Sequence, residues 1–241
     1  MFPVNAFPCF QNCVRQIDAF SSLASVGGDF TLNSNPFLGT MDGFHGLESV
    51  GGNLVVTNNS GLNDLPGFDA ATSIGGGVTI QSNSGLIDLS GFDGPNPLTI
   101  GGDVVINSNQ GAALAVLTSL SGFGAVTSIA GNFTYQFTGA FDALSGFANT
   151  STVGGDFHLE TNLGLDEVTG FGSLTSVGGA IYMTTNPTLA DLSGLMGVDT
   201  VGGDFTIQWN SLLPTSFAEA LRDSIGVTDI GGVVTIQGNL P

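Results

Sequence analysis

Basic residues are almost absent from this chain. Of its 241 residues none is lysine and two are arginine, Arg15 and Arg222, whereas 20 are Asp or Glu, which gives a net charge of −18. Proteins bind nucleic acid and anionic lipid surfaces by placing Lys and Arg against phosphates. The composition therefore predicts that neither nucleic acid nor an anionic membrane is a partner.

Long apolar runs are absent too. No stretch approaches the roughly 18 apolar residues that a spanning helix requires, so the sequence predicts no membrane insertion. The first residues, MFPVNAFPCF, lack the basic and continuous apolar regions of a signal peptide. A processed chain, a recombinant start and export by another route all fit this beginning.

Cysteine is scarce. Cys9 and Cys13 are the only two, and at this spacing without a second pair they do not make a zinc site, which usually needs four ligands. A disulfide within an N-terminal cap and two free thiols both remain open. Charged residues make up 9% of the chain, against roughly 25% in an ordinary soluble domain, so the surface must be mostly neutral and polar.

What the chain has in abundance is a repeat. The pattern S-[VI]-G-G-x-[apolar]-x-[apolar]-x-x-N recurs nine times, mostly 24 residues apart, with its first Gly at 27, 51, 75, 101, 154, 178, 202 and 231 and Ala130 in the fifth copy. A second pattern, L-x-G-F, follows in many copies. One repeat at one period predicts one solenoid.

Each repeat predicts one coil with a half-buried strand. After the Gly-Gly turn, stretches such as 78–81 (VTIQ) alternate apolar and polar residues, and nine such strands are expected to stack into a parallel sheet. The Asn that follows the strand is expected to satisfy turn backbone groups as a structural ladder, and the Phe of L-x-G-F to stack as a core spine. Asp residues just after Gly-Gly are expected to cap turns.

Both ends of an open solenoid expose core, so we expect caps there. Residues 9–20 predict a short amphipathic helix, and residues 215–225, after Pro214, a second helix packed on the last turns. The predicted organisation is an N-terminal cap at 1–24 and a single β-solenoid domain at 25–241 with a helical insertion at 215–225.

These motifs resemble the receptor L-domain branch of the leucine-rich-repeat superfamily over residues 21–239. The resemblance implies an all-β, right-handed parallel β-solenoid of nine coils with short helical caps at both ends. It also implies an extracellular or cell-surface protein that recognises protein or glycan partners or serves as a scaffold. Receptor members usually carry more cysteine at their caps than this chain does.

Catalytic motifs are missing, and the sequence predicts no enzyme. It contains no nucleophile elbow, zincin or phosphate-loop motif, and its two histidines are His45 and His158. His158 and Glu160 are expected on one exposed face, where an acid/base pair is conceivable. No cofactor is expected, apart from Ca²⁺ at two stacked carboxylate pairs, Asp64 with Asp88 and Glu167 with Asp191. The bland interpretation of those pairs is a solvated acidic edge that keeps the protein soluble.

The outward columns of the expected sheet separate three functions. They are small and uniform except on three late strands, where six candidate ligand-binding residues come together: His158, Glu160, Tyr182, Thr184, Gln208 and Trp209. This mixture favours a binding module for a protein or glycan. The alternative for Trp209 is that it turns inward to plug a gap, and for Tyr182 that it is a packing residue.

Two other functions stay open. A structural protein would assemble head-to-tail into filaments or a surface coat, because the chain stops within a few residues of its ninth strand and leaves a strand edge uncovered. An ice-binding protein would need unbroken rows of Thr, which His158, Glu160 and Tyr182 interrupt. Glycosylation at the sequons Asn58, Asn132 and Asn149 is not decided by the sequence.

Overall fold

The computed structural model describes residues 14–86, 89–109, 119–138 and 142–241, and this part of the chain is mostly β. In chain order its strands are β1 Ser25–Val26, β2 Phe30–Asn33, β3 Ser49–Val50, β4 Leu54–Thr57, β5 Ser73–Ile74, β6 Val78–Gln81, β7 Leu98–Ile100, β8 Val104–Asn107, β9 Ser119–Leu120, β10 Val126–Ile129, β11 Phe133–Gln136, β12 Ala143–Leu144, β13 Thr152–Val153, β14 Phe157–Glu160, β15 Glu167–Val168, β16 Ser176–Val177, β17 Ile181–Thr184, β18 Thr200–Val201, β19 Phe205–Gln208 and β20 Val234–Gln237.

The strands form three parallel sheets that wrap the chain into a β-solenoid. The largest has nine strands in the order β2-β4-β6-β8-β11-β14-β17-β19-β20. A second sheet runs β1-β3-β5-β7-β10-β13-β16-β18, and a short third runs β15-β12-β9. Each strand of the large sheet pairs in register with its counterpart one repeat away, as Phe157 does with Ile181. The sheets therefore fix which side chains of successive repeats lie side by side.

A ladder of buried Asn side chains follows the large sheet, as the sequence predicts. The backbone N–H of Asn59 donates to Oδ1 of Asn83 at 3.0 Å, and Asn59 Nδ2 donates to the carbonyl of Leu32 at 3.0 Å. The same bonds recur along the column, where Thr138 replaces one Asn and donates through Oγ1 to Asn162 Oδ1 at 2.8 Å. The structural interpretation of these Asn residues is confirmed.

The Phe spine is also confirmed. Phe68, Phe92, Phe123, Phe147 and Phe171 are fully buried, and successive rings stack nearly parallel with centroids 4.4 to 5.0 Å apart. Such stacking fills the core with one large side chain per repeat.

The Gly-Gly turns are required by the close approach of successive coils. A Cβ at Gly178 would overlap the carbonyl of Gly154, and a Cβ at Gly179 would overlap the carboxylate of Asp156. Asp156 holds that place because its Oδ1 accepts the N–H of Ala180 at 2.7 Å. The same bond recurs from other Asp and Asn residues after Gly-Gly, which confirms their turn-capping role.

The predicted N-terminal helix is wrong over the residues that the structure describes. Residues 14–20 are not helical, and Gln16 pairs in parallel with Thr40. Phe20 stacks on Phe44 with centroids 5.4 Å apart. The segment is thus a partial repeat rather than an amphipathic helix, and its backbone bonds to the next coil replace those that a helix would make. Residues 9–13 of the prediction, with Cys9 and Cys13, lie outside the described residues.

The predicted helix near the C terminus is present as α1, Thr215–Ile225, between β19 and β20. Its Ala218, Leu221 and Ile225 are buried. Short 3-10 helices lie at Asp42–Phe44, Ser90–Phe92, Ser193–Leu195 and Val227–Asp229. Within the described ranges, no helix is both long and apolar enough to cross a membrane.

Candidate functional site on the outer face of the large sheet

The structure brings most of the candidate binding residues together on adjacent strands. In the register of β14, β17 and β19, His158 lies beside Tyr182 and Glu160 beside Thr184, and Thr184 lies beside Gln208. All five point away from the core and are partly exposed. Neighbouring strands lie about 4.8 Å apart, so these side chains form one continuous surface, here called the outer patch.

His158 is the centre of contacts within the outer patch. Its Nε2 lies 3.3 Å from Oε2 of Glu160, a contact that becomes an ion pair when the imidazole is protonated. Its ring also lies against Tyr182, with centroids 5.9 Å apart and planes tilted by 59°. These contacts orient the Glu160 carboxylate, and both rings stay partly exposed to solvent.

Amide groups extend the outer patch toward the end of the sheet. Nε2 of Gln237 on β20 donates to Oε1 of Gln208 at 3.0 Å. This bond fixes which atom of the Gln208 amide is free, since the Nε2 group of Gln208 remains available as a donor. Amide donors and a carboxylate acceptor on neighbouring strands are suited to directional hydrogen bonds with hydroxyl groups.

Trp209 lies at the rim of the outer patch and is 56% exposed. The inward orientation considered from the sequence is therefore wrong. The physical reason is the backbone conformation. Trp209 has φ 58, in the left-handed region, which interrupts the alternation of inward and outward side chains after β19. The next inward side chain is therefore that of the buried Asn210. Its indole covers Gly238 of the next coil, where a Cβ would overlap the ring. Trp209 thus presents a supported, flat aromatic surface.

The carboxylate pairs give a mixed result. Glu167 and Asp191 are bridge partners on adjacent coils, which places them side by side as predicted. Asp191 Oδ1 accepts the N–H of Ser193 at 2.6 Å and so serves its own turn. Asp64 is partly buried, and Asp88 lies outside the described residues. Across the described ranges no group of three or more His, Cys, Asp or Glu residues could hold a metal ion.

Sequence reasoning missed an apolar pocket at the N-terminal end of the solenoid. It has a volume of about 190 Å³ and is lined mainly by Ile17, Phe20, Leu23, Val26, Phe30 and Phe44. The signal was available: Asp18-Ala19-Phe20 repeats Asp42-Gly43-Phe44 at the 24-residue spacing. That match extends the repeat by half a coil, and the described residues cover the core beside it only in part.

Comparisons with known proteins add no family. No family model, curated protein or solved structure matches the chain. The resemblance to receptor L-domains thus remains a prediction from the motifs, and the site is characterised by its geometry alone.

Proposed function

We propose that this chain is a non-enzymatic recognition module, at the cell surface or outside the cell, that binds a protein or glycan through the outer patch. The observation that carries the proposal is the concentration of different chemistry on three adjacent strands. His158 contacts both Glu160 and Tyr182 there, whereas the same columns on β6 hold only Thr79 and Gln81.

Glycans are the ligand class that this chemistry suits best. Trp209 offers a flat apolar ring for the C–H face of a sugar, and Glu160 and Gln208 offer hydrogen bonds to its hydroxyl groups. A net charge of −18 opposes anionic ligands, so neutral or basic glycans and basic protein surfaces are preferred. The pair His158 and Glu160 lies on the open face of a sheet, where water is not excluded, which favours binding over acid/base catalysis.

The finer architecture belongs to the same proposal. We propose a right-handed solenoid of nine coils in the manner of receptor L-domains. Nine parallel strands in one sheet, together with the recurring Gly-Gly and Asn columns, support it. Ca²⁺ at Glu167 and Asp191 is not needed for this function, since two carboxylates fall short of the six to eight oxygen ligands of a calcium site.

A glycan array followed by titration tests the proposed function. The chain has one tryptophan, Trp209, so its fluorescence reports directly on occupancy of the rim of the outer patch. A ligand found on the array should change this fluorescence with saturation. The double variant Tyr182→Ala/Glu160→Ala should lose at least tenfold in affinity while its melting temperature stays within a few degrees.

A matched control lies on the same face. The double variant Thr79→Ala/Gln81→Ala removes the equivalent outward side chains from β6, four strands away from β17. It should bind as the parent does. Equal loss of affinity in both double variants, or none in the first, would show that binding occurs elsewhere.

A further inference from the structure

We propose that the two ends of the solenoid are complementary and that a second copy of this chain docks head-to-tail, so that β20 of one copy pairs in parallel with β2 of the next. Among the described strands, the large sheet begins at β2, whose one neighbour is β4, and ends at β20, whose one neighbour is β19. Both strands run in the same direction, so one sheet can continue from one copy into the other.

The unpaired backbone groups at the two edges match. In a parallel sheet alternate residues bond to opposite neighbours. Phe205 N–H donates to the Val233 carbonyl at 2.9 Å, so the N–H groups of Val234 and Ile236 face away from β19. By the same pattern the carbonyls of Asp29 and Thr31 face away from β4. In the joined sheet Val234 donates to Asp29, and Ile236 donates to Thr31.

The Asn ladder has complementary ends as well. Each Asn Oδ1 inside the ladder accepts the N–H of the Asn one coil earlier, as Asn239 does from Asn210 at 3.1 Å. Among the described residues, Asn35 Oδ1 accepts no such bond, and the N–H of Asn239 has no acceptor. In a head-to-tail pair Asn239 donates to Asn35 and the ladder continues without a break.

Apolar residues left incompletely buried lie at these same two ends. The partly buried residues that pack against the core are Ile17, Leu23, Val26, Phe30, Phe217, Val234 and Ile236. The first four surround the N-terminal pocket, and Val234 and Ile236 are the inward side chains of β20. Stacking the ends covers both sets, as each coil covers its neighbour elsewhere.

Two glycines at the N-terminal end are the clearest sign that a further coil docks there. Gly51 and Gly52 have no room for a Cβ because the first coil lies against them, whereas Gly27 and Gly28 have no described atom within 4 Å of a built Cβ. Neither Gly27 nor Gly28 has a positive φ that would require glycine. A docked last coil would crowd them as the first coil crowds Gly51.

The column of residues that follow Gly-Gly suits a second copy as the occupant. Docking puts Asp29 after Val233, just as Asp103 follows Gly77 and Asp204 follows Ala180, so no two carboxylates meet in the column.

Sedimentation velocity of the full 241-residue chain, from micromolar to millimolar protein, tests the proposal. The mean mass should rise with concentration without stopping at a dimer, because a contact that continues the solenoid along its axis leaves one free end at each side of every pair. Electron microscopy should show filaments with an axial repeat of ~43 Å per subunit, which is the nine strands at their usual spacing.

Two variants that each block one end sharpen the test. Gly27→Leu fills the space above the first coil, and Ile236→Pro removes an N–H that faces away from β19. Each alone should stay monomeric, and mixed together they should form a 1:1 dimer, since each keeps one intact end. Gly172→Leu is the control, because Gly172 also has open space around it but lies away from both ends. It should assemble like the parent.

The results that support head-to-tail docking differ from those that overturn it. Unfolding midpoints close to that of the parent show that each variant is folded. A parent that stays monomeric at every concentration overturns the proposal, as does a Gly27→Leu variant that still assembles or a parent that stops at a closed dimer. Recognition at the outer patch is independent of these results, because its titration uses dilute protein.

Discussion

The inward and outward sides of the same strands follow different rules. On β17, Ile181 and Met183 are fully buried, and their counterparts in other repeats are also large and apolar. Tyr182 and Thr184 face outward, and the column that contains Tyr182 changes from Thr to Val, His and Tyr along the sheet. Inward residues must fit the coil above and the coil below, whereas outward residues meet only solvent or a partner. The outward departures from the repeat therefore point to function.

The largest expected effect comes from breaking the inward Asn ladder. Asn186 Oδ1 accepts the N–H of Asn162 at 3.1 Å, and its Nδ2 donates to the Leu159 carbonyl at 3.2 Å. Asn186→Ala leaves these buried groups without partners and should lower the free energy of unfolding by ~3 kcal/mol or more. Chemical denaturation measures the loss.

Asn186→Thr serves as the control for that variant. Thr138 occupies the equivalent position in another coil and donates to Asn162 Oδ1. Asn186→Thr should therefore lose clearly less stability than Asn186→Ala. Equal losses would mean that side-chain volume, rather than hydrogen bonding, explains the Asn column.

A smaller effect concerns the buried Tyr135 at high pH. Burial raises the pKa of the Tyr135 phenol well above its usual range, an effect that its hydrogen bond with Thr138 only partly offsets. Below pH of about 10 the phenol is protonated in both the folded and the unfolded chain. Above that pH only the unfolded chain ionises, so stability should fall as the pH rises.

Unfolding of Tyr135→Phe against pH measures this contribution. The variant should lose less stability than the parent between pH 9 and 11. A parent and a Tyr135→Phe variant with the same alkaline slope would contradict the role of the buried phenol.

The smallest expected effect is a gain of stability at the strand end. Thr185 has φ 58, which is unfavourable for a β-branched residue, and Gly238 occupies the same position in the last coil. Thr185→Gly should raise the free energy of unfolding by about 0.5 kcal/mol, the strain relieved less the entropy that glycine loses on folding. Thr184→Gly, one residue earlier in the strand, should instead lower it.

The sequence predicted the repeating parts of the fold well, because periodic residues carry the signal many times. The Gly-Gly turns, the Asn ladder, the Phe spine and the outward columns were all placed correctly, and so was the helix after Pro214. The segment 14–20 was misread because its apolar spacing fits a helix as well as half a coil. Gln16 pairs with Thr40 because the next coil offers backbone partners that a sequence pattern does not show.

The candidate site was predicted only in part. Register alone places His158 beside Tyr182, which the 24-residue spacing already implies. The outward orientation of Trp209 depends on a positive φ that no propensity assigns to tryptophan. The N-terminal pocket depends on which of the described residues lie against Phe30, and a repeat pattern does not report where burial stops.

An alanine scan of β17 tests the central claim, that inward residues hold the fold and outward residues are free for recognition. Ile181→Ala and Met183→Ala should each lower the free energy of unfolding by ~2 to 5 kcal/mol in chemical denaturation. Tyr182→Ala and Thr184→Ala should change it by less than about 1 kcal/mol. A loss for Tyr182→Ala as large as that for Met183→Ala would contradict the claim, because the outer patch would then be part of the packing that holds the solenoid together.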